Sequence, residues 1–468
     1  MKYISTRGKA PKLAFDDVLL AGLARDGGLY LPETWPTFSA QDIAAMKGMS
    51  YAEVAVKVMT PFVEGAISVE DLTRIVNETY GVFDGEDPAP IVKLGENEYV
   101  LELFHGPTLA FKDYALQFLG RMFDHVLAKR GAKLTIAGAT SGDTGSAAIE
   151  ACRDRDAIEI FILHPAGKVS EVQRRQMTTV LSDNVHNIAP KGNFDDCQNT
   201  GKDLFADEAF RDAVHLSAVN SINWARIMAQ VVYYFWAALK VGAPDTAVSF
   251  AVPTGNFGNV FAGYVAKQMG LNVNQFVVGS NANDILIRFI ESGRMESRDV
   301  FETTSPSMDI QISSNFERFM FELLDRDAVA LTALMDEFKA TGKFSVTDTL
   351  MERLKGLVDG ERFDDDGTAK LIGDIHKETG YLLDTHSAIG VGAGRARRWD
   401  ASVPMVALAT AHPAKFPDAV EAASGVHPAL PDFLSDLYER EERAVTLEGG
   451  TATVKSYIET TLQERGKL

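Results

Sequence analysis

The chain reads as an α/β protein: open, mostly parallel sheets built from strand–helix–strand units, with a mainly helical region ahead of them. From about Glu98 onward, short β-branched or apolar runs alternate with helix-length segments. The runs are Tyr99–Phe104, Leu134–Ala139, Ile158–Leu163, Thr246–Val252, Val273–Val278 and Pro404–Ala409. Before that point the amphipathic segments Asp42–Lys57 and Ser68–Tyr80 predict helices. A length of 468 residues exceeds one ordinary core, so several domains are expected. They are drawn at 1–95 (N-terminal, mainly helical), 96–245 (a smaller α/β domain) and 246–468 (a larger α/β domain). Within the last, Glu291–Gly367 reads as a helical insertion, and its acidic patch Asp364–Asp366 as a solvated loop.

Composition narrows the function classes. With 65 acidic against 46 basic residues the formal charge is −19, which argues against a nucleic-acid partner. Only Cys152 and Cys197 occur, without CxxC or histidines at metal spacing. That pattern predicts no metal site and a reducing compartment, with Cys152 a small core residue. No run approaches the roughly 20 apolar residues of a membrane span, and the first residues carry no apolar signal core. The expected location is the cytoplasm.

In parallel sheets ligands bind beyond the carboxyl ends of the strands, so the residues after each run are the ones to inspect. Leu134–Ala139 runs into Thr140-Ser141-Gly142-Asp143-Thr144-Gly145, and Thr246–Val252 into Pro253-Thr254-Gly255-Asn256-Phe257-Gly258-Asn259. Each is a strand, a glycine-rich turn and a helix, an arrangement in which backbone N–H groups and the helix dipole converge on an anion. Neither fits the phosphate loop of nucleotide hydrolases or the dinucleotide fingerprint. Gly390-Val-Gly392-Ala-Gly394 is the nearest match to the latter, and it reads as close packing of a helix such as Ala388–Arg397. A third element, His105-Gly-Pro-Thr-Leu-Ala-Phe-Lys112-Asp113, precedes a helix with Leu116, Leu119, Met122, Phe123, Val126 and Leu127 at helical spacing. Lys112 thus opens a helix beside apolar Leu109–Phe111, where burial and the dipole both disfavour its ammonium form. A neutral amine is what Schiff-base chemistry requires.

These residues carry a family resemblance. The lysine segment 105–113, the opening Tyr3-Ile-Ser-Thr-Arg-Gly with Leu19–Leu31, and Ala139–Gly145 all resemble threonine synthases. So do Asn220-Ser-Ile-Asn-Trp-Ala-Arg226, Gly255–Asn259 and Ala409-Thr-Ala-His-Pro413. The matches run in order along nearly the whole chain, closest to the longer bacterial and fungal branch. The resemblance implies the pyridoxal-phosphate fold of the tryptophan synthase β type, with two open sheets. It implies pyridoxal 5′-phosphate as cofactor and O-phospho-L-homoserine as substrate. The products would be L-threonine and phosphate, the last step of threonine biosynthesis, made by a monomer or homodimer.

By the same resemblance Lys112 would carry the cofactor as a Schiff base and move protons. Gly255, Asn256, Phe257, Gly258 and Asn259 would cradle its phosphate, and the Thr410 hydroxyl would face its ring nitrogen. Thr140, Ser141, Asp143 and Thr144 would take the substrate's carboxylate. An ionised aspartate beside a carboxylate is unfavourable, which turns Asp143 towards the backbone. Asn220, Ser221 and Arg226 would bind the substrate's phosphate, a task that suits the planar guanidinium. Competing outcomes on the same scaffold are a phospholyase giving 2-oxobutyrate, a β-replacing synthase and a non-catalytic ligand-binding protein; Arg226 with Asn220 and Ser221 favours a phosphorylated substrate.

Overall fold

The structure is a computed structural model that describes residues 1–167 and 169–468. In chain order the strands are β1 (Tyr3–Ser5), β2 (Tyr30–Pro32), β3 (Ile91–Gly95), β4 (Glu98–Glu102), β5 (Leu134–Ala139), β6 (Ile158–Leu163), β7 (Val185–Pro190) and β8 (Leu216–Ser217). They continue as β9 (Val248–Pro253), β10 (Val273–Ser280), β11 (Arg294–Glu296), β12 (Lys343–Ser345), β13 (Val358–Arg362), β14 (Met405–Ala409) and β15 (Val445–Leu447). Every run singled out in the sequence carries a strand, and β5 and β6 coincide with their runs to the residue.

The chain divides into two compact units. One holds Met1–Leu19, Leu23–Phe111 and Ser221–Pro428; the other holds Leu20–Gly22, Lys112–Asn220 and Ala429–Leu468. The linear borders at 95 and 245 differ from this partition. Residues 1–95 fall, Leu20–Gly22 apart, in the same unit as Ser221–Pro428. The reason is long-range pairing: β4 lies against β14, with Leu101 opposite Leu408, and β15 returns from the C-terminal end to lie against β7. Such partners leave no mark on local composition.

The first unit is built on a six-stranded sheet, β13-β10-β9-β14-β4-β3, parallel except for the edge strand β3. Its N-terminal helices Tyr51–Val63 and Val69–Tyr80 start at serines whose hydroxyls accept a first-turn N–H, Ser50 from Glu53 and Ser68 from Asp71. Segment 291–367 is more than a helical insertion. It contains the antiparallel β11–β12 pair, whose strands are separated by two α-helices, and β13, which extends the sheet beside β10. The sequence Val-Asp-Gly-Glu-Arg is polar because β13 is an edge strand. The acidic patch is also ordered: Asp364 caps the helix Asp365–Thr379 by accepting from the Gly367 N–H at 2.8 Å. Acidic groups at a helix start are favoured by its dipole. Gly390 and Gly394 lie in the helix Thr385–Arg397, and a Cβ on them would stand 2.8 Å from Pro253 Cδ and 2.9 Å from Ala251 Cβ. These glycines let the helix lie close over β9, as the packing reading expected.

The second unit is built on the all-parallel sheet β15-β7-β6-β5-β8. The helix Lys112–Arg130 packs against Asp143–Cys152 at a very short approach. A Cβ on Gly120 would lie 2.2 Å from the carbonyl oxygen of Ala151, so glycine sets the separation of two helices whose first residues carry site side chains. Gly120→Val is expected to lower unfolding stability by about 1–3 kcal/mol, the usual cost of overpacking, measured by urea unfolding; an unchanged midpoint would refute the close approach.

Candidate active site

In the second unit Lys112 is the first residue of its helix and Asp143 the first of the next. Both are buried, and Lys112 Nζ lies 3.3 Å from Asp143 Oδ2. The other carboxylate oxygen accepts from Gln173 Nε2 at 2.8 Å. The expectation that Asp143 turns to the backbone therefore does not hold; it turns to the lysine. The expectation that Lys112 is simply desolvated also changes, because a carboxylate at this distance favours the ammonium. The Thr140 hydroxyl accepts from the N–H groups of Gly142 and Gly145 at 3.0 and 2.9 Å, so its oxygen braces its own turn. Ser141 and Thr144 are half-buried. Gly142 has φ 142°, a backbone region that glycine tolerates. Asn220 is the last residue of this unit before the chain crosses, and its buried Oδ1 has no partner among the described residues.

In the first unit the loop after β9 leads into the helix Gly258–Gln268 through Phe257, whose φ is 60°. No side chain caps this helix, so its first N–H groups lack intrahelical acceptors. Phe257 contributes backbone only, since its ring is buried against Phe316 and Phe319 at 5.0 and 5.2 Å. Asn259 Oδ1 accepts from Tyr233 and Tyr234 hydroxyls at 2.7 and 3.0 Å, and its buried Nδ2 has no acceptor among the described residues. A Cβ on Gly255 would stand 2.9 Å from Ile310 Cδ1. Beside this loop, at the same end of the sheet, β14 is followed by the buried Thr410, whose N–H donates to Ser387 Oγ at 3.0 Å.

Ser221 joins this loop through residues the sequence reading missed. Its hydroxyl is 3.2 Å from Ser314 Oγ, which donates to Asn256 Oδ1 at 3.1 Å. Ser313 donates to the Gly255 carbonyl at 2.6 Å and the Asn315 N–H to that of Asn256 at 3.0 Å. The doublet Ser313-Ser314 has no motif of its own; its only sequence signal is a polar pair just ahead of a helix. Arg226, on the first turn of the helix Trp224–Lys240, is buried, and burial pushes its guanidinium down to about 10. Arg318 is wholly buried as well. It donates to the carbonyls of Tyr30 and Ile222 and to Asn315 Oδ1, which ties β2, the turn before Arg226 and the loop's support together. Burial pushes it down to about 9. Around Thr410 stand further buried polar groups: His386 Nδ1 on Asp384 at 2.8 Å, and Lys415 donating to the Thr108 carbonyl at 2.6 Å. Among the described residues no cluster could hold a metal ion, and no helix is long and apolar enough to cross a membrane.

Comparison with known proteins fixes the class. Residues 82–341 match the family described as pyridoxal-phosphate dependent enzyme, so the chain is a member of that cofactor class, with its two sheets and helix-end loops. Residues 2–80 match "Threonine synthase N terminus" and residues 387–458 "Threonine synthase, C-terminal". The chain is 57% identical to the threonine synthase of Pseudomonas aeruginosa over 98% of both chains. Among solved structures, the pyridoxal-phosphate-bound threonine synthase of Brucella melitensis superposes with a TM-score of 0.97 at 57% identity, covering 98% of this chain and 99% of that one. The yeast enzyme gives 0.94 at 38% identity, covering 99% of each. The chain belongs to the threonine synthase family.

The residues present fit the cofactor. A helix start without a side-chain cap, the Asn259 amide with no acceptor among the described residues, and a glycine where a Cβ would crowd Ile310 suit a phosphate monoester after β9. His412, near Thr410 in sequence, is pushed down to about 4, chiefly by burial. Its folded form therefore binds fewer protons than the unfolded chain between about pH 6.5 and 4, so stability falls as pH drops through that window. His412→Asn, which can keep the bond from the Ala414 N–H, is expected to remove at most about 3 kcal/mol of this acid-side loss. Urea unfolding at neutral and mildly acid pH reads the difference, and parallel pH slopes in both proteins would refute it.

Proposed function

We propose that this chain converts O-phospho-L-homoserine and water into L-threonine and inorganic phosphate, in the cytoplasm, as the last step of threonine biosynthesis. The observation that carries a phosphorylated substrate is the buried Arg226 guanidinium, which burial destabilises and a phosphate would offset. Ser221, in the same unit, offers a hydroxyl for the same group, and Asn220 an amide. The cytoplasmic assignment is supported by two free buried thiols, Cys152 and Cys197, which burial pushes up to about 12 and about 11.

Bound pyridoxal phosphate supplies an electron sink for carbon–hydrogen bonds next to the substrate's amine. Lys112 would hold the cofactor through Nζ and, once displaced by the substrate's amine, remove the α proton. The backbone N–H groups of Gly255–Asn259 would hold the cofactor's phosphate, with the side chain of Phe257 serving only as an anchor. The Thr410 hydroxyl would face the ring nitrogen; a hydroxyl donates a hydrogen bond there without the full charge of an acid. Ser141 and Thr144 would orient the substrate's carboxylate at a helix start, with Thr140 bracing the turn.

Purified protein is expected to form threonine and phosphate in equal amounts from O-phospho-L-homoserine, and Lys112→Ala to form neither. Formation of 2-oxobutyrate in place of threonine by the wild type would defeat this reading. Arg226→Met is expected to raise KM for the substrate at least about tenfold, since a charge-assisted contact contributes about 1.5–3 kcal/mol. Steady-state kinetics decide this, and an unchanged KM would remove Arg226 from phosphate binding.

A further inference from the structure

The carboxylate of Asp143 is held in one orientation. Its Oδ1 accepts from Gln173 Nε2 at 2.8 Å while its Oδ2 stands 3.3 Å from Lys112 Nζ. Both residues of the pair are buried, at 4% and 9% exposure, so water does not screen them. Asp143 also opens a helix, whose positive end favours an anion. The approach of Gln173 is built in: a Cβ on Gly142 would stand 2.4 Å from Gln173 Cδ, so only glycine admits the amide there. A carboxylate fixed on the lysine is badly placed to receive a second carboxylate, since like charges repel in such a site. That separates Asp143 from Ser141 and Thr144.

We propose that Asp143 is the proton acceptor for Lys112, positioned by Gln173, and not a ligand for the substrate's carboxylate; this rests on Lys112 being the cofactor lysine. In the step, the proton on Nζ passes to Oδ2. The ammonium becomes a neutral amine with a free electron pair, the carboxylate becomes a neutral acid, and the reverse transfer restores both. The pair has no net charge before or after, so the buried surroundings pay little for the move. The other ionisable groups on the packed elements are Asp113, Tyr114, Arg121, Asp124, His125, Lys129 and Arg130 on the lysine's helix, Glu150 and Cys152 on the next, and Glu171, Arg174, Arg175 and His164 beyond them. Glu150 is paired with Arg153, while Glu171 and the two arginines form a network that includes Glu442. Burial pushes His164 down. None of these is altered in the variants that follow.

The test uses cofactor-free protein mixed with pyridoxal phosphate across a range of pH. In capture, the Lys112 amine attacks the aldehyde carbon and water leaves, which is read as a rise in visible absorbance. The carboxylate favours the ammonium, so in wild type capture should accelerate only towards high pH. In Asp143→Asn that rise should move to lower pH by about one to three units, the shift an adjacent opposite charge produces. Turnover by the loaded variant should change the other way, with kcat lower by about a hundredfold or more and KM little altered, as expected for a lost proton acceptor. Gln173→Met keeps the carboxylate but frees it, and should show both effects in smaller measure; it carries the test if Asp143→Asn does not fold. An unmoved capture profile, or a change in KM alone, would overturn the proposal. Borohydride reduction and peptide mass analysis of wild type separate the two readings: a label elsewhere than Lys112 would sink the cofactor-lysine reading itself.

Discussion

A helix cannot satisfy its own first N–H groups, and a parallel sheet lines up several helix starts beyond one edge. That constraint organises the structure. In one unit the loop after β9 enters its helix with no side-chain cap, and in the other the loop after β5 enters its helix through Gly142, again with no side-chain cap. Capped helices elsewhere, such as those starting at Ser50 and Ser68, spend serine hydroxyls on the same groups. Helices such as Ile285–Ser292 and Thr451–Glu464 also lack a side-chain cap, so what sets these two apart is the glycine-rich turn that leads into each from a parallel strand.

Buried charge is the second theme, and each case is resolved differently. Among the described residues no carboxylate pairs with the Arg318 side chain; it is solvated by carbonyl and amide oxygens from three segments. That makes it a joint for the support of the β9 loop, at the cost of an easier deprotonation. Lys112 and Asp143 answer each other as an ion pair. Lys415, another buried lysine, donates to a backbone carbonyl. Two lysines with similar burial thus have different partners, and only one stands at a helix start beside a glycine-rich turn.

The lysine segment, both glycine-rich turns and the alternation of strands with helices were legible in the sequence, because each depends on residues close together in the chain. β5 and β6 are short, mostly apolar runs, interrupted only by Thr135 and Glu159 and largely buried, so their limits were plain. Polar strands were not: the edge strand β13 is polar, and the interior strand β7 is broken by His186 and Asn187 and ends in proline. The support of the loop after β9 by Ser313, Ser314 and Asn315 was equally hidden, since those residues lie more than 50 positions away and carry no motif.

The sequence alone determined the class of fold, the helix that opens at the lysine and the two glycine-rich turns, since φ/ψ preference, periodicity and helix ends are local physics. The tertiary structure decided which carboxylate faces that lysine. It also decided which side chains of the turns are spent on their own backbone, and how residues 1–95 join a unit with Ser221–Pro428. Those are matters of distance between parts remote in the chain, where a few ångströms convert a desolvated amine into one half of an ion pair.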